Sequence, residues 1–320
     1  MAFNFVPGPN YTETETKIFL AADIVELAAN SLLACPISTI NFILILKTSI
    51  LHPNLKLILL CQSLCIFIRG IGRIILNVAR FYLQDYVTLG PQSLIIMYMQ
   101  PIFIRKCIMH VIVIERIIAT IKSKNYEKQR SILFNIIWIT ITVIISFFNS
   151  YMVSEFSFVQ LANASTFFVL LIFGLAEICA LFWMLRKNKR NYDKKLQEGH
   201  QSLSERYQLS ENIRTAKQLI PCILMHFVCI ILPGINNIFA YLKIYSDNFT
   251  IDFANQCVFI IVTIGSFLIE LFLLIYHPFL RRNFFRLLCS LFCCRMLFPI
   301  NKIMQVPPTT DTNILTQSKY

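Results

Sequence analysis

Charged residues are scarce in this chain: Asp, Glu, Lys and Arg make up 14% of its 320 residues, while 56% are hydrophobic and the mean hydropathy is +0.63. That balance excludes an ordinary soluble domain, in which about a quarter of the residues are charged. Cysteine lacks any arrangement. Eight of the 11 lie in apolar segments or at their edges and three in the tail, with no C-x-x-C pair, and only Cys257 stands near an oxidising side, so no disulfide framework is expected. The five histidines, His52, His110, His200, His226 and His277, show no H-x-x-x-H spacing, and no G-x-S-x-G string occurs. An enzyme, a metal and a cofactor are therefore not expected. Internal repeats, low-complexity tracts and a second domain are also missing. The first 17 residues are polar, so no cleavable leader is expected and the first apolar segment serves as its own anchor.

What the chain has instead is long apolar runs, at roughly 20–46, 55–79, 94–121, 132–153, 166–185, 218–242 and 257–276. Each is about 20 residues or longer, which at ~1.5 Å per residue is what an α-helix needs to cross ~30 Å of hydrocarbon. The expected fold is an all-α membrane protein, a seven-transmembrane helix bundle over residues 20–276. An extracellular N-terminus, 1–19, precedes it and a cytoplasmic tail, 277–320, follows.

The basic residues orient this bundle. Of 29 Lys and Arg, 22 fall on one side, in the tail or in the connectors after segments 1, 3 and 5, counting Lys56 and Arg116 at the segment ends with them; Lys17, Arg80 and Lys243 fall on the other side, and Arg69, Arg73, Arg105 and Lys106 lie within segments. The positive-inside bias then puts the N-terminus outside and the C-terminus in the cytoplasm. Glycosylation sequons at Asn10, Asn163 and Asn248 all fall on the expected outer side. The net charge of +12 is accounted for by loops facing an anionic leaflet and does not call for a nucleic-acid partner.

The connector from 186 to 217 opens with Arg186-Lys187-Asn188-Lys189-Arg190 and continues with Ser202-Leu203-Ser204-Glu205, whose capping-box spacing predicts a cytoplasmic extension of segment 6. Segment 6 holds Pro221 and Pro233-Gly234, where the helix can bend for a lever or simply for packing. After Tyr276-His277-Pro278, the stretch from Phe279 to Leu288 mixes arginines with large apolar residues and predicts a short amphipathic interfacial helix. Cys289, Cys293 and Cys294 follow at membrane level as candidate palmitoylation sites.

Ionisable residues inside hydrocarbon are costly and so mark candidate sites. Glu115-Arg116 closes segment 3 at its inner mouth. Arg105 stands eleven residues, about three turns, before Arg116 and shares its face, with Lys106 adjacent; Arg69 and Arg73 share a face of segment 2. The acids within the segments are Asp23, Glu26, Glu177 and Glu270. Two readings of Arg69, Arg73, Arg105, Lys106, Glu177 and Glu270 stay open: an outward-facing cavity for an anionic or strongly polar ligand, or a charge network holding the helices in register.

The string Glu115-Arg116-Ile117-Ile118-Ala119-Thr120, then Tyr126-Glu127-Lys128, with His52-Pro53-Asn54-Leu55 opening segment 2, resembles the nematode serpentine chemoreceptors. Arg206-Tyr207-Gln208-Leu209-Ser210-Glu211-Asn212 and Tyr276-His277-Pro278 are similar to motifs of the Sre family in the Sra superfamily. The resemblance runs from segment 1 to the stretch after segment 7. It implies a G-protein-coupled chemosensory receptor for a small environmental chemical, multi-pass in the plasma membrane of a sensory cilium, with a heterotrimeric G protein as partner. It also implies an activation switch in which Glu115 holds Arg116 at rest until segment 6 swings outward. Some rhodopsin-like features are missing: no cysteine lies near the outer end of segment 3 or in 154–165, and segment 7 ends in Ile275-Tyr276-His277-Pro278 without an Asn-Pro-x-x-Tyr string. The alternative is a seven-helix transporter of a small solute, suited by mid-membrane polar groups and proline-broken segment 6 but not by the odd helix count. A cation channel would want a ring of acids where this chain concentrates cations.

Overall fold

The computed structural model describes residues 9, 11–48, 51–121, 133–155, 159–198 and 203–291, which are almost wholly helical. Asn10, Tyr126-Glu127-Lys128, Cys293, Cys294 and the side chain of Asn163 lie outside the described residues. The helices are α1 (Glu13–Ala28), α2 (Cys35–Lys47), α3 (Pro53–Leu83), α4 (Gln92–Ile121), α5 (Leu133–Glu155), α6 (Val159–Glu198), α7 (Leu203–Tyr241), α8 (Asn248–Tyr276) and α9 (Pro278–Leu291). A π-helical turn, Ala29–Ala34, joins α1 to α2. Thus α1 and α2 form the first segment, α3 to α8 are segments 2 to 7, and α9 is the helix beyond them.

Local chemistry sets these boundaries. Thr12 and Glu15 make a capping box at the start of α1, with the Glu15 carboxylate accepting from the Thr12 N–H at 2.8 Å. Pro36 lacks the N–H that would donate to the carbonyl of Leu32, and the ladder widens into the π turn just before it. Two helices open on His-Pro. Proline takes the first helical position in α3 and α9, and the preceding imidazole Nδ1 accepts a backbone N–H, from Asn54 to His52 at 3.4 Å and from Leu280 to His277 at 3.3 Å.

Among the described residues five stretches are long and apolar enough to cross a membrane: Glu13–Lys47, Pro53–Leu83, Phe168–Lys194, Leu209–Tyr241 and Asn248–Tyr276. α4 is not among the five, and the described apolar stretch of α5 is Ile136–Phe147. α6 and α7, of 40 and 39 residues, are each about 60 Å long, roughly twice the hydrocarbon thickness, and pack along one another. Pro221 and Pro233 are accommodated inside α7 as one continuous helix.

Buried side chains such as Ile58, Ile108, Ile112, Ile223 and Leu274 form the core where α3, α4, α7 and α8 meet, while Leu32, Ile144, Phe168 and Phe173 are exposed outside it, as a lipid-facing surface requires. Gly72 lets α3 lie against α4: a Cβ there would stand 3.1 Å from that of Tyr98. α9 packs on α2 and α8, burying Leu280 and exposing Arg281 and Arg282, with Cys289 half-buried.

His277 lies beyond the end of α8 and gives the fold a pH dependence. Burial, and then the nearby Arg214 guanidinium, push its pKa down to about 4 from an ordinary 6.5. Its Nδ1 accepts from Leu280, a contact that a proton on that nitrogen would remove. Between pH 6.5 and 4 the unfolded chain binds a proton that the native one refuses. Stability is therefore full above about pH 6.5 and falls by about 3 kcal/mol as pH drops through that window. Thermal unfolding of the purified protein between pH 7.5 and 4 should show this loss, and His277→Asn, which keeps a capping oxygen without the titration, should flatten it.

Candidate functional site

Polar residues line one face of α3. Gln62, Ser63, Arg69, Arg73, Asn77 and Arg80 all lie along it, and all are buried. Because α3 continues to Leu83, Arg80 sits inside the bundle and not on the outer connector where the basic-residue count put it. Arg73 grips Glu26 of α1 with two guanidinium nitrogens, Nε lying 2.7 Å from Oε1, while its charge rests 4.3 Å from the centre of the Phe259 ring. Arg80 binds Asp23 at 2.9 Å and the carbonyl of Thr88 at 2.8 Å. Gln256 of α8 joins the two pairs: its amide donates to Asp23 at 2.8 Å and to Glu26 at 2.9 Å, and its oxygen accepts from Arg73 at 3.1 Å. Two carboxylates and two guanidiniums thus form a neutral knot tying α1, α3 and α8. Arg69 lies alongside and donates to Thr263 at 2.9 Å and to the carbonyl of Phe259 at 3.1 Å.

The remaining acids are also occupied. Glu177 of α6 meets His110 of α4, and one oxygen of Glu270 accepts from Asn41 and, at 2.9 Å, from Ser63. The six intramembrane candidates therefore do not make one cluster. Arg69 and Arg73 belong to the knot or its border, Glu177 and Glu270 have partners on other helices, and Arg105 and Lys106 border an open space.

That space is a cavity of about 130 Å³ between α4, α7 and α8. Its apolar walls include Ile102, Phe103, Ile230, Phe259 and Val262, and its polar lining is Arg105, Lys106, His226, Asn236, Asn237 and Asn255. Arg105 is 3% exposed; it contacts the Ser266 hydroxyl, and its Nε has no partner. Asn236 and Asn255 bond to each other at 2.8 Å, and Tyr245 donates to Asn236 at 2.6 Å. The mix of a few convergent polar groups on apolar walls is that of a small-molecule site.

At the other end of α4, about 16 Å from Arg105 along the axis, Arg116 folds back on its neighbour Glu115. Two nitrogens engage the two carboxylate oxygens, one at 2.6 Å, and both side chains are buried. The two residues are adjacent, so the bond between them lies within α4. Amides clasp α4 to its neighbours: Asn188 of α6 donates to Thr120 at 3.1 Å and Asn212 of α7 to the Ala119 carbonyl at 3.4 Å. Sequence reading missed Asn188, Asn212 and Gln256. The first two sat within basic or motif strings already singled out, whereas a lone glutamine in an apolar run carries no signal.

The chain is thus a helical bundle with a walled cavity at one level and a buried acid–arginine pair at another. Comparison with known proteins specifies the kind: residues 11–260 match the profile of the serpentine type 7TM GPCR receptor class ab chemoreceptors, so the chain belongs to that nematode family. It is 30% identical over 158 residues, 45% of the chain, to serpentine receptor class alpha/beta-14 of Caenorhabditis elegans, and 29% identical over 125 residues, 37% of the chain, to serpentine receptor class epsilon-8 of the same organism. The matched regions span 40% and 35% of those relatives' own length. The likeness to the epsilon class read from the sequence rests on the second relative, whereas the family profile is of class ab.

Proposed function

We propose that this protein is a G-protein-coupled chemosensory receptor that detects a small environmental chemical in the cavity between α4, α7 and α8. The observation that carries the reading is that cavity, with Arg105 at its wall, on the same helix as the buried Glu115–Arg116 pair. In this reading α4 and α5 span the membrane with the other five stretches, the N-terminus is outside, and the heterotrimeric G protein docks at the Arg116 end. Asn248 is exposed at the first turn of α8 and suits glycosylation, and half-buried Cys289 on α9 suits palmitoylation. A transporter needs a path past α4. Ile108, Met109, Ile112, Ile223 and Leu273 are instead packed in the buried core between the levels of Arg105 and Arg116, which favours a receptor.

Ligand entering the cavity would move α7 against α4, and the α4–α7 contact at Ala119–Asn212 would carry that shift to Arg116. Filling the cavity tests this. Ile230→Phe is expected to reach the surface at near wild-type level and to lose the response to whichever chemical activates the wild type in a G-protein activation screen. A full response from that variant would place the ligand elsewhere.

A further inference from the structure

The charges around the cavity do not balance. Among the described residues lining it two are cations, Arg105 and Lys106, and none is Asp or Glu. Of the acids within the bundle, Asp23, Glu26 and Glu177 are engaged by Arg80, Arg73 and His110, and Glu270, whose charge is felt at Arg105, stands beyond ion-pair distance of it and accepts from Asn41 and Ser63. Among the described residues no carboxylate lies within ion-pair distance of Arg105. Its guanidinium is permanently charged and offers five N–H donors in a planar fork. The Ser266 hydroxyl takes one of them and Nε is unmatched in a site only 3% open. A buried charge with unused donors is expensive to maintain unless something else meets it.

Resting on the reading of this cavity as the ligand site, we propose that the ligand class is small organic acids, whose carboxylate is taken by Arg105 while an apolar body lies against Ile230 and Val262. A carboxylate matches the guanidinium fork with two parallel hydrogen bonds and supplies the missing charge. An amine of the same skeleton would enter a site with two cations and no acid. An alcohol would leave the guanidinium charge unanswered. Of the neutral amides in the lining, Asn236 donates to Asn255 and accepts from Tyr245, and Asn237 donates to the carbonyl of Pro233. Size sets the body: the cavity, about 130 Å³, is close to the roughly 150 Å³ that accepts benzene.

The test uses the full chain purified in lipid nanodiscs and reads its thermal unfolding midpoint, which a ligand binding the native state raises. The probes are benzoate, benzyl alcohol and benzylamine, with 3-methylbutanoate and its alcohol and amine as a second set. One or both acids should stabilise the wild type, the alcohols and amines should not, Arg105→Gln should abolish the acid effect, and Arg105→Lys should keep it with at least about tenfold weaker apparent affinity. Because Arg105→Lys retains the charge, it serves if the glutamine variant folds poorly. The proposal is overturned if no acid acts, if an alcohol or amine acts as strongly as its acid, or if the acid effect is undiminished in either Arg105 variant. Ile230→Phe separates this from failure of the cavity reading: a probe effect that survives that variant removes the site itself, whereas an alcohol effect that it abolishes leaves the site standing and removes only the acid.

Discussion

Arg73→Leu is expected to cost the receptor about 3–5 kcal/mol of stability, the largest loss of any single change in the polar knot. The substitution strands Glu26, whose side chain is fully buried, with Gln256 as its remaining knot partner. It also removes the cation held over Phe259 and Tyr98, at 4.3 and 5.1 Å from the ring centres. The midpoint of thermal unfolding in detergent and the yield at the cell surface should both fall. Taking away the acid as well, in Arg73→Leu with Glu26→Leu, should restore much of the loss, because removing both ends of a buried pair leaves no uncompensated charge. Arg69→Gln provides the contrast: Arg69 meets a hydroxyl and a carbonyl, and its loss strands no carboxylate. If Arg73→Leu unfolds at the wild-type midpoint, the knot is not what holds α1 and α8 to α3.

The knot also shows what sequence spacing conveys. Arg69 and Arg73 are four residues apart, so their common face was legible from helical geometry alone. Arg80 lies seven beyond Arg73 on the same stripe, but the apolar run fades at 79 and the residue read as part of a connector. Helix length, not hydropathy, puts it in the bundle. The acids were recognisable as possible partners, yet which cation each would meet was not, since that depends on how six helices are rotated about their own axes. Thus Glu177 finds His110, a pairing that no periodicity suggests. The separation of Arg105 and Lys106 from the other charges had the same origin: it needed the positions of α7 and α8.

Arg116→Ala is expected to reach the surface and bring G-protein activation to background, while Glu115→Gln raises signalling without ligand. The bond between them is bidentate and charge-assisted, a class worth about 1.5–3 kcal/mol, enough to shift a two-state equilibrium by tenfold or more. The bond lies within one helix, whereas Asn188 and Asn212 clasp α4 to its neighbours. Losing that bond alone should therefore bear on which way Arg116 points more than on whether the bundle forms. Freed from Glu115, the guanidinium can extend about 6–7 Å from its own Cα, past the end of the α4–α7 clasp and toward a partner, at the end of the bundle where the basic connectors lie. Signalling must be measured per receptor at the surface, alongside the unfolding midpoint. A merely structural role for the pair makes the opposite forecast: both variants would unfold earlier and signal normally in proportion to the receptor that remains.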